Sequence, residues 1–388
     1  MAEETVLHTL SMGDKVVWKP ANQSISVFFE KPRKVLSTSL LNGGYREDLT
    51  GVFNHNCGPD DGSHCTLRAA TYQEHMRLLA RGAGLDPDRT TGMGTAARME
   101  NVAIVVKEYR ELVVTAIVTA GVEGNGGRVG DPTQHYYPVE KTAAHKPGTI
   151  NILLILDADM AAGTMARALV TCTEAKTAVL QELMVGSLYS TGLATGSGTD
   201  QSIVLANPQS PLYFEGAGKH SKLGELIGLA VKQAVKEALL KQNGLSPEKQ
   251  HSVLRRFKRF GLTEETLWQG YLAATTEPVE KQQFLNSLYQ LEKDSQALTY
   301  ASLYIHLLDQ SLWGLLAPGE MLAAAHDVLA VTAAKFGVAV PRVERPDIPV
   351  CLKAWSELML TCLKERLTKT GPDEQPAGQK GTETNGVF

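Results

Sequence analysis

The pattern of hydrophobic residues changes once along the chain, near residue 215, and this change limits the possible folds more than any other feature. Before it, short apolar runs such as NVAIVVKEY, ELVVTAIVTA and TINILLIL follow one another with few helices between them. Runs without clean alternation are typical of strands covered on both faces. After it, apolar residues recur at helical spacing. The sequence therefore predicts an α+β (mixed α/β) protein, with a β-rich core, helices packed on the sheet faces and an all-helical C-terminal region.

Three segments are predicted: a β-rich α+β catalytic domain over 1–215, a helical region over 216–368 and a disordered tail over 369–388. The length of 388 residues suffices for two domains. The tail is polar and lacks periodicity, so it cannot bury enough apolar surface to offset its ordering entropy. Within the β-rich half we expect helices at about 65–82 and 159–185. Long amphipathic stretches are predicted at 221–242, 280–314 and 318–336.

The charge composition is ordinary for a globular protein and gives no reason to expect a polyanionic partner. The net charge is −4 and charged residues make up 21% of the chain, so neither a nucleic acid nor a membrane is expected as a partner. The start, MAEETVLHTL, has acids where a secretory signal carries basic residues, and no run approaches the ~18 apolar residues of a membrane span. Five cysteines without regular spacing indicate reduced thiols. We expect a cytoplasmic protein, and the sequence leaves its oligomeric state open.

Six polar stretches interrupt the β-rich half and are interpreted as turns at strand ends, where sites are commonly built. Each is also compatible with simple turn chemistry, because Gly and Asn tolerate the positive φ of tight turns. The stretches are LNGGYRED (41–48), NHNCG (54–58), GMGTAARME (92–100), TAGVEGNGGRVGD (119–131), PGTIN (147–151) and ATGSGTD (194–200).

The stretch ATGSGTD does not match a phosphate-binding loop. Such a loop ends in Gly-Lys-Ser/Thr and leads into a helix, whereas Asp200 and the apolar run SIVLA follow here. Its backbone N–H groups suit a neutral carbonyl that becomes an oxyanion. The loop is therefore predicted to contact substrate.

A metal site is the alternative suggested by NHNCGPDDGSHC, which contains His55, Cys57, His64 and Cys65. These side chains are possible zinc ligands. Their spacing differs from the paired spacing of structural zinc sites, and the chain has no H-E-x-x-H motif. We therefore predict no metal ligand and no cofactor, with a metal-dependent amidase as the alternative.

Lys176 lies in an apolar stripe of the helix that follows the inner strand TINILLIL. It shares one helix face with Cys172 and Leu180, because these residues recur every four positions. One interpretation is that its stem packs while the ammonium reaches water. The other is that the ammonium pairs with a carboxylate, Asp200 or Asp157, because an unpaired buried charge is too costly.

Taken together and in this order, the polar stretches resemble the adenosylcobinamide amidohydrolase family of corrinoid salvage. The resemblance covers about residues 35–240. Ser197 stands where the family's loop Thr-Gly-Thr-Gly-Thr-Asp commonly has its central Thr, and it keeps the hydroxyl. The motifs that carry the resemblance are LSTSLLNGGY, NHNC, TAGV with NGGRVGD, GTINILLILDADM, TCTEAKTAVLQEL, ATGSGTD and GKHSKLGELIG.

The resemblance implies hydrolysis of the amide that joins an aminopropanol arm to the corrin ring of adenosylcobinamide. The products would be adenosylcobyric acid and 1-amino-2-propanol. The implied partner is a small-molecule corrinoid, whose cobalt belongs to the substrate. Rival hypotheses are an amidase with carboxylate- or metal-activated water, and a corrinoid-binding protein without turnover.

An amide is a poor electrophile, so the site needs a nucleophile or activated water, donors for the oxyanion and an acid for the departing amine. Thr149 is the candidate nucleophile, and Lys176 with Asp200 or Glu174 is the candidate charged support. Candidate substrate-binding residues come from the polar stretches: Asn42, Gly43, Gly44, Asn54, His55, Gly121, Asn125, Asp131, Asn151, Thr195, Gly196, Ser197, Gly198 and Thr199.

Two interpretations of Thr149 remain open. It is either the plain start of a strand or a nucleophile. In the order of their elements, the Gly148-Thr149 pair, the inner strand, the following helix and the distant Gly-rich loop also resemble the self-cleaving amidases and acyltransferases of the aminopeptidase and ornithine acetyltransferase group. In those enzymes a Ser or Thr freed by self-cleavage is the nucleophile and its own amine is the base.

Overall fold

The computed structural model of the protein describes residues 4–58, 67–133 and 148–369, which divide into two compact units. The first unit ends at Gln250, whereas the sequence-based boundary was placed after residue 215. The reason for the difference is the helix Lys222–Asn243, which packs its apolar face into the core of the first unit. The helical region of the sequence therefore begins inside the first unit.

In its described residues, the first unit is built on two large sheets and two short strand pairs. In chain order the strands are β1 (Thr5–Thr9), β2 (Lys15–Lys19), β3 (Ser24–Phe28), β4 (Lys34–Ser37), β5 (Gly44–Arg46), β6 (Gly51–Asn56), β7 (Thr90–Thr95), β8 (Ala103–Tyr109), β9 (Leu112–Ala120), β10 (Gly126–Gly127), β11 (Ile150–Leu156), β12 (Asp159–Met160), β13 (Gly196–Ser197), β14 (Gln201–Ala206) and β15 (Tyr213–Phe214). The five-stranded sheet has the order β1-β2-β3-β6-β7, and the six-stranded sheet the order β5-β4-β14-β11-β9-β8.

The sheets and helices of the first unit form four layers, with a hydrophobic core between each pair of adjacent layers. The helices of this unit are α1 (Tyr72–Gly82), α2 (Ala162–Glu182), α3 (Lys222–Asn243) and the short α4 (Pro247–Gln250). Helix α1 covers the outer face of the five-stranded sheet, and α2 and α3 cover the outer face of the six-stranded sheet. The inner faces of the two sheets form a core of their own. The predicted α+β class, with helices on the sheet faces, is confirmed.

Strand β11 shows how the chain fills two cores at once. All seven of its residues are buried. Side chains alternate along a strand, so Ile152 and Leu154 face α2 and α3 while Leu153 and Ile155 face the other sheet. It lies between β14, to which it is parallel, and β9, to which it is antiparallel. The unalternating apolar run in the sequence reflects this burial on both faces.

Two stretches that were predicted as turns are strands. NHNC lies mostly in β6 and GMGT in β7, and the two strands pair in parallel. Asn and Gly are depleted in strands, which is why the sequence pattern favoured turns. The prediction was wrong because all six residues of β6 are buried in the sheet, where ladder hydrogen bonds and a polar partner across the sandwich outweigh local preference.

The second unit is helical in the part that the structure describes. The predicted stretch 280–314 is two helices, because Asp294 caps a new helix start. Among the described residues, no helix is long and apolar enough to cross a bilayer. The predicted tail beyond residue 369 lies outside the described residues. The helices are α5 (Val253–Phe257), α6 (Glu264–Ala273), α7 (Lys281–Glu292), α8 (Ser295–Leu312), α9 (Pro318–Phe336) and α10 (Ile348–Lys369).

Candidate active site

A cluster of polar side chains surrounds Thr149, the residue immediately before β11. Thr149 is 4% exposed. Its backbone extends the sheet, because the N–H of Gly121 donates to the Thr149 carbonyl at 3.0 Å. Its hydroxyl is in hydrogen-bond contact with the hydroxyl of Thr199. The structure thus brings together the inner strand and the distant Gly-rich loop.

The carbonyl oxygen of Gly148 receives two side-chain donors. Asn125 Nδ2 donates to it at 2.6 Å, and Thr199 Oγ1 donates at 3.2 Å. A threonine hydroxyl has a single proton. When Thr199 donates that proton to Gly148, its oxygen accepts from the Thr149 hydroxyl. The Thr149 hydroxyl therefore shares the Thr199 hydroxyl with the Gly148 carbonyl, whose oxygen receives two donors.

The backbone at Gly148 requires glycine. Its φ of +142° belongs to a region that residues with a Cβ rarely adopt. A Cβ at this position would lie 2.4 Å from Asn125 Oδ1 and 3.0 Å from the Gly121 carbonyl oxygen. The absence of a side chain lets the Gly148 carbonyl approach Asn125.

Asp200 ties three segments together with both of its oxygens. Oδ1 accepts from the N–H of Ile150 at 2.9 Å and from Ser197 Oγ at 2.6 Å. Oδ2 accepts from the N–H of Ser197 at 3.0 Å and from Lys176 Nζ. A carboxylate offers about four lone-pair sites, so this one is fully used. Asp200 therefore holds its neighbours in position.

Lys176 is the paired cation that the helix pattern suggested, and its partner is Asp200. The two side chains are 11% and 13% exposed. Gly196 permits this approach, because a Cβ there would lie 2.4 Å from Asp200 Oδ2 and 2.8 Å from Lys176 Nζ. The alternative partner, Asp157, follows β11 at its other end and accepts from Asn207.

A row of three polar side chains spans the two sheets beside Thr149. Asn151 Nδ2 donates to Asn54 Oδ1 at 2.8 Å and to the Gly94 carbonyl at 3.1 Å. Asn54 Nδ2 donates to Thr119 Oγ1 at 2.8 Å. Asn151 is fully buried, and its Oδ1 has no hydrogen-bond partner within the described ranges.

The short ribbon of β10 and β13 adjoins this cluster. Gly127 pairs with Gly196, and Thr195 Oγ1 accepts from the N–H of Val129 at 2.9 Å. Asp131 accepts from the N–H of Arg128 at 2.7 Å. Thr195 and Asp131 thus hold the ribbon's backbone, and Gly198 has open space where its side chain would be.

Four predicted site residues lie elsewhere. Glu174 is exposed and pairs with Lys219 at 3.1 Å. Asn42 donates to the Pro87 and Thr90 carbonyls and so fastens its loop at the start of β7, whereas the Thr149 cluster adjoins the end of that strand. Gly43 belongs to the same loop, and Gly44 is the first residue of β5.

His55 faces away from the cluster, because it is one residue along β6 from Asn54. Burial, with the nearby charge of Arg68 and with His75, lowers the pKa of His55 to about 4. Cys57 is disulfide-bonded, contrary to the expected reduced thiols, so its sulfur is not a thiolate ligand. No group of three or more possible metal ligands forms among the described residues. His64 and Cys65 lie outside the described residues.

Sequence reasoning singled out the Gly148-Thr149 pair and placed Thr119 both in the apolar run ELVVTAIVTA and in the polar stretch that follows it. It missed the contacts of these residues. The alternation of β9 could have indicated that Thr119 faces the other sheet, where Asn54 donates to it. The two donors to the Gly148 carbonyl were missed because backbone acceptors leave no pattern in side-chain types.

A cleft of about 340 Å³ lies at the opposite end of β11 and β14. Arg33, Asp157 and Asn207 line it. It contains none of the predicted site residues. The polar cluster around Thr149 and this cleft therefore lie at opposite ends of the sheet.

The chain is similar to known proteins over this first unit. The profile of the family described as adenosylcobinamide amidohydrolase matches residues 7–247. An uncharacterized protein of Methanocaldococcus jannaschii is 34% identical over 236 residues, 57% of this chain and 87% of that protein. An adenosylcobinamide amidohydrolase of Methanosarcina mazei is 29% identical over 207 residues, 51% of this chain and 86% of that protein. The match includes the whole polar cluster, and the chain belongs to the adenosylcobinamide amidohydrolase family.

Proposed function

We propose that the protein hydrolyses the aminopropanol amide of adenosylcobinamide to adenosylcobyric acid and 1-amino-2-propanol. The observation that carries the proposal is the Thr149 hydroxyl beside a carbonyl held by Asn125 and Thr199, within the segment matched by the family. These groups are the nucleophile and the oxyanion donors that amide cleavage needs.

In the proposed reaction, Thr149 Oγ1 bonds to the carbonyl carbon of the substrate amide. Asn125 Nδ2 and Thr199 Oγ1 donate to the oxygen as it becomes negative. The carbon–nitrogen bond then breaks, and the nitrogen leaves as aminopropanol with the proton that Thr149 gave up. Water cleaves the resulting ester, which releases the corrinoid carboxylic acid and restores the Thr149 hydroxyl.

Lys176 and Asp200 act in this scheme as positioning residues. Asp200 accepts from the N–H of Ile150, the residue after the nucleophile, and also holds Ser197 in the loop that carries Thr199. Lys176 neutralises this buried carboxylate. The ion pair therefore sets the distance between the nucleophile and one of its two carbonyl donors.

The direct test is to incubate purified protein with adenosylcobinamide and to follow the corrinoid acid and aminopropanol by mass spectrometry. We expect both products from the parent and from Thr173→Ala, which removes an exposed hydroxyl on α2. We expect neither from Thr149→Ala.

Each rival gives a different result in this assay. Binding of adenosylcobinamide without product would favour a corrinoid-binding protein and contradict the proposal. Loss of turnover with a chelator would favour a metal-activated water. Turnover by Thr149→Ala at the parent rate would leave Thr149 as the plain start of a strand.

A further inference from the structure

We propose that the protein cleaves its own peptide bond between Gly148 and Thr149, and that this cleavage creates the active form of the site. The inference rests on the proposed function, because it assigns the same nucleophile and carbonyl donors to both reactions. Its starting point is that the donors are already occupied. In the intact chain, Asn125 and Thr199 bind the Gly148 carbonyl oxygen.

This occupancy prevents the intact site from acting on another amide. A substrate carbonyl needs the same two donors that the Gly148 carbonyl now fills. The held carbonyl is joined directly to the nitrogen of Thr149, the residue whose hydroxyl lies beside it. The amide placed for attack in the intact chain is thus the chain's own peptide bond.

The local conformation fits this role and no side chain is tolerated in it. Gly148 has a φ of +142°, and a Cβ would collide with the Asn125 side chain that donates to its carbonyl. Simple strand entry would not require such a residue, because the register of β11 begins only at Ile150. Glycine at this position serves the contact between the carbonyl and Asn125.

The reaction balances with water as the sole co-reactant. Thr149 Oγ1 bonds to the Gly148 carbonyl carbon, the carbon–nitrogen bond breaks, and the hydroxyl proton passes to the nitrogen. An ester then links Gly148 to the Thr149 side chain, and Thr149 has a free amine. Water hydrolyses the ester to a Gly148 carboxylate and a free Thr149 hydroxyl.

Cleavage supplies two things that the intact site lacks. It releases the Gly148 carbonyl from its amide, so Asn125 and Thr199 become available to a substrate carbonyl. It also gives Thr149 an α-amine, whose ordinary pKa of about 7.7–8.0 suits a base for the adjacent hydroxyl near neutral pH. The residue that attacks then carries its own proton acceptor.

The new terminus stays in place after cleavage. The Gly121 N–H still donates to the Thr149 carbonyl, and Asp200 still holds the Ile150 N–H. Strand β11 lies between β9 from the first fragment and β14 from the second. The two fragments therefore share one sheet and remain a single particle until the protein is denatured.

The test compares denatured and native protein. Cleavage after Gly148 divides the 388-residue chain into fragments of 148 and 240 residues, which intact mass spectrometry under denaturing conditions should detect. The larger fragment should begin with Thr149, while native size exclusion should show one particle. Thr149→Ala should remain one chain, Thr149→Ser should be cleaved, and Thr173→Ala should be cleaved like the parent.

Hydroxylamine provides a readout that does not depend on the folding of a variant. It attacks esters, so parent protein that is still being processed should yield a fragment ending in a Gly148 hydroxamate. A parent chain that stays intact, or a Thr149→Ala variant that is cleaved at the parent rate, would overturn the inference.

Failure of the inference can be told apart from failure of the proposed function. An intact chain that hydrolyses adenosylcobinamide would overturn self-cleavage and leave the proposed function standing. A cleaved chain that binds adenosylcobinamide without hydrolysing it would do the reverse.

Discussion

An ion pair lies near each end of strands β11 and β14, and the two pairs are built differently. At the starting ends, Lys176 and Asp200 are 11% and 13% exposed. At the far ends, Arg33 and Asp14 are 1% and 0% exposed. Arg33 also donates to Asn207 Oδ1 at 3.1 Å, and that residue directly follows β14.

The other hydrogen bonds of each ion pair, rather than its burial, distinguish the pair in the candidate site from the structural pair. Asp14 and Arg33 connect the turn after β1 to the segment before β4, and among the described residues none of their hydrogen bonds involves a hydroxyl. Asp200 instead holds the backbone next to Thr149 and the loop that carries Thr199. The more deeply buried pair thus connects two segments of the fold, and the less buried pair holds the segments on either side of Thr149, the proposed nucleophile.

The largest effect is expected at the far end. Arg33→Met leaves Asp14 buried without its cation, which typically costs about 3–5 kcal/mol of folding free energy. Chemical denaturation should show this loss. The folded fraction should retain the parent turnover number. A loss of turnover per folded molecule would contradict the assignment of a purely structural role to the Arg33–Asp14 pair.

A somewhat smaller effect is expected from Thr199→Val at the site end. The variant keeps the shape of the side chain and removes one carbonyl donor, so self-cleavage and turnover should each fall by ~10²–10³. Thermal unfolding should change little. Thr173→Val on the exposed face of α2 is the matched control, and equal rates in the two variants would contradict the assignment.

Lys176→Met should act mainly on rate. Turnover should fall by ~10², the lower end of what one electrostatic contributor supplies. KM should change little, because Lys176 contacts Asp200 and the substrate contacts lie elsewhere. The stability loss should be smaller than that of Arg33→Met, since Asp200 keeps three other donors. Unchanged turnover would show that the Lys176–Asp200 pair has only a structural role.

The smallest effect concerns His55, which belongs to neither pair. Its pKa of about 4 in the folded protein lies below the ordinary value of 6.5, so the unfolded chain binds the proton more readily. Stability should therefore fall as the pH is lowered from 6.5 towards 4, by about 2 kcal/mol at pH 5 for this residue. His55→Gln should make denaturation midpoints less dependent on pH in that window. Equal pH dependence in parent and variant would contradict the burial argument.

The apolar periodicity of the sequence predicted the parts of the site that depend on regular structure. Strand β11 and helix α2 lie where the pattern placed them, and Lys176 pairs with one of its two predicted partners. Glu174 was named as an alternative to Asp200 in the charged support. Two residues correspond to about 200° around a helix, so Glu174 points to solvent from the opposite face.

The remaining errors arise where tertiary contacts override local preference. Asn54 and His55 looked like turn residues because Asn is rare in strands. In the folded protein, Asn54 finds its partners on the facing sheet, which no local pattern reveals. The first unit extends to Gln250 instead of ending near residue 215, and the sequence did not indicate this because the periodicity of α3 does not show which unit its apolar face contacts.

The hydrogen bond between Asn54 and Asn151 has a consequence for how the sandwich is assembled. Contact between two apolar sheet faces is non-directional, so several offsets of one sheet along the other would bury similar areas. The amide pair is directional, and sliding the sheets would leave buried polar groups unpaired at about 1–3 kcal/mol each. One alignment is thereby selected from many. Since Asn151 lies two residues after Thr149, the docking of the sheets also sets where this proposed nucleophile lies, before any substrate arrives.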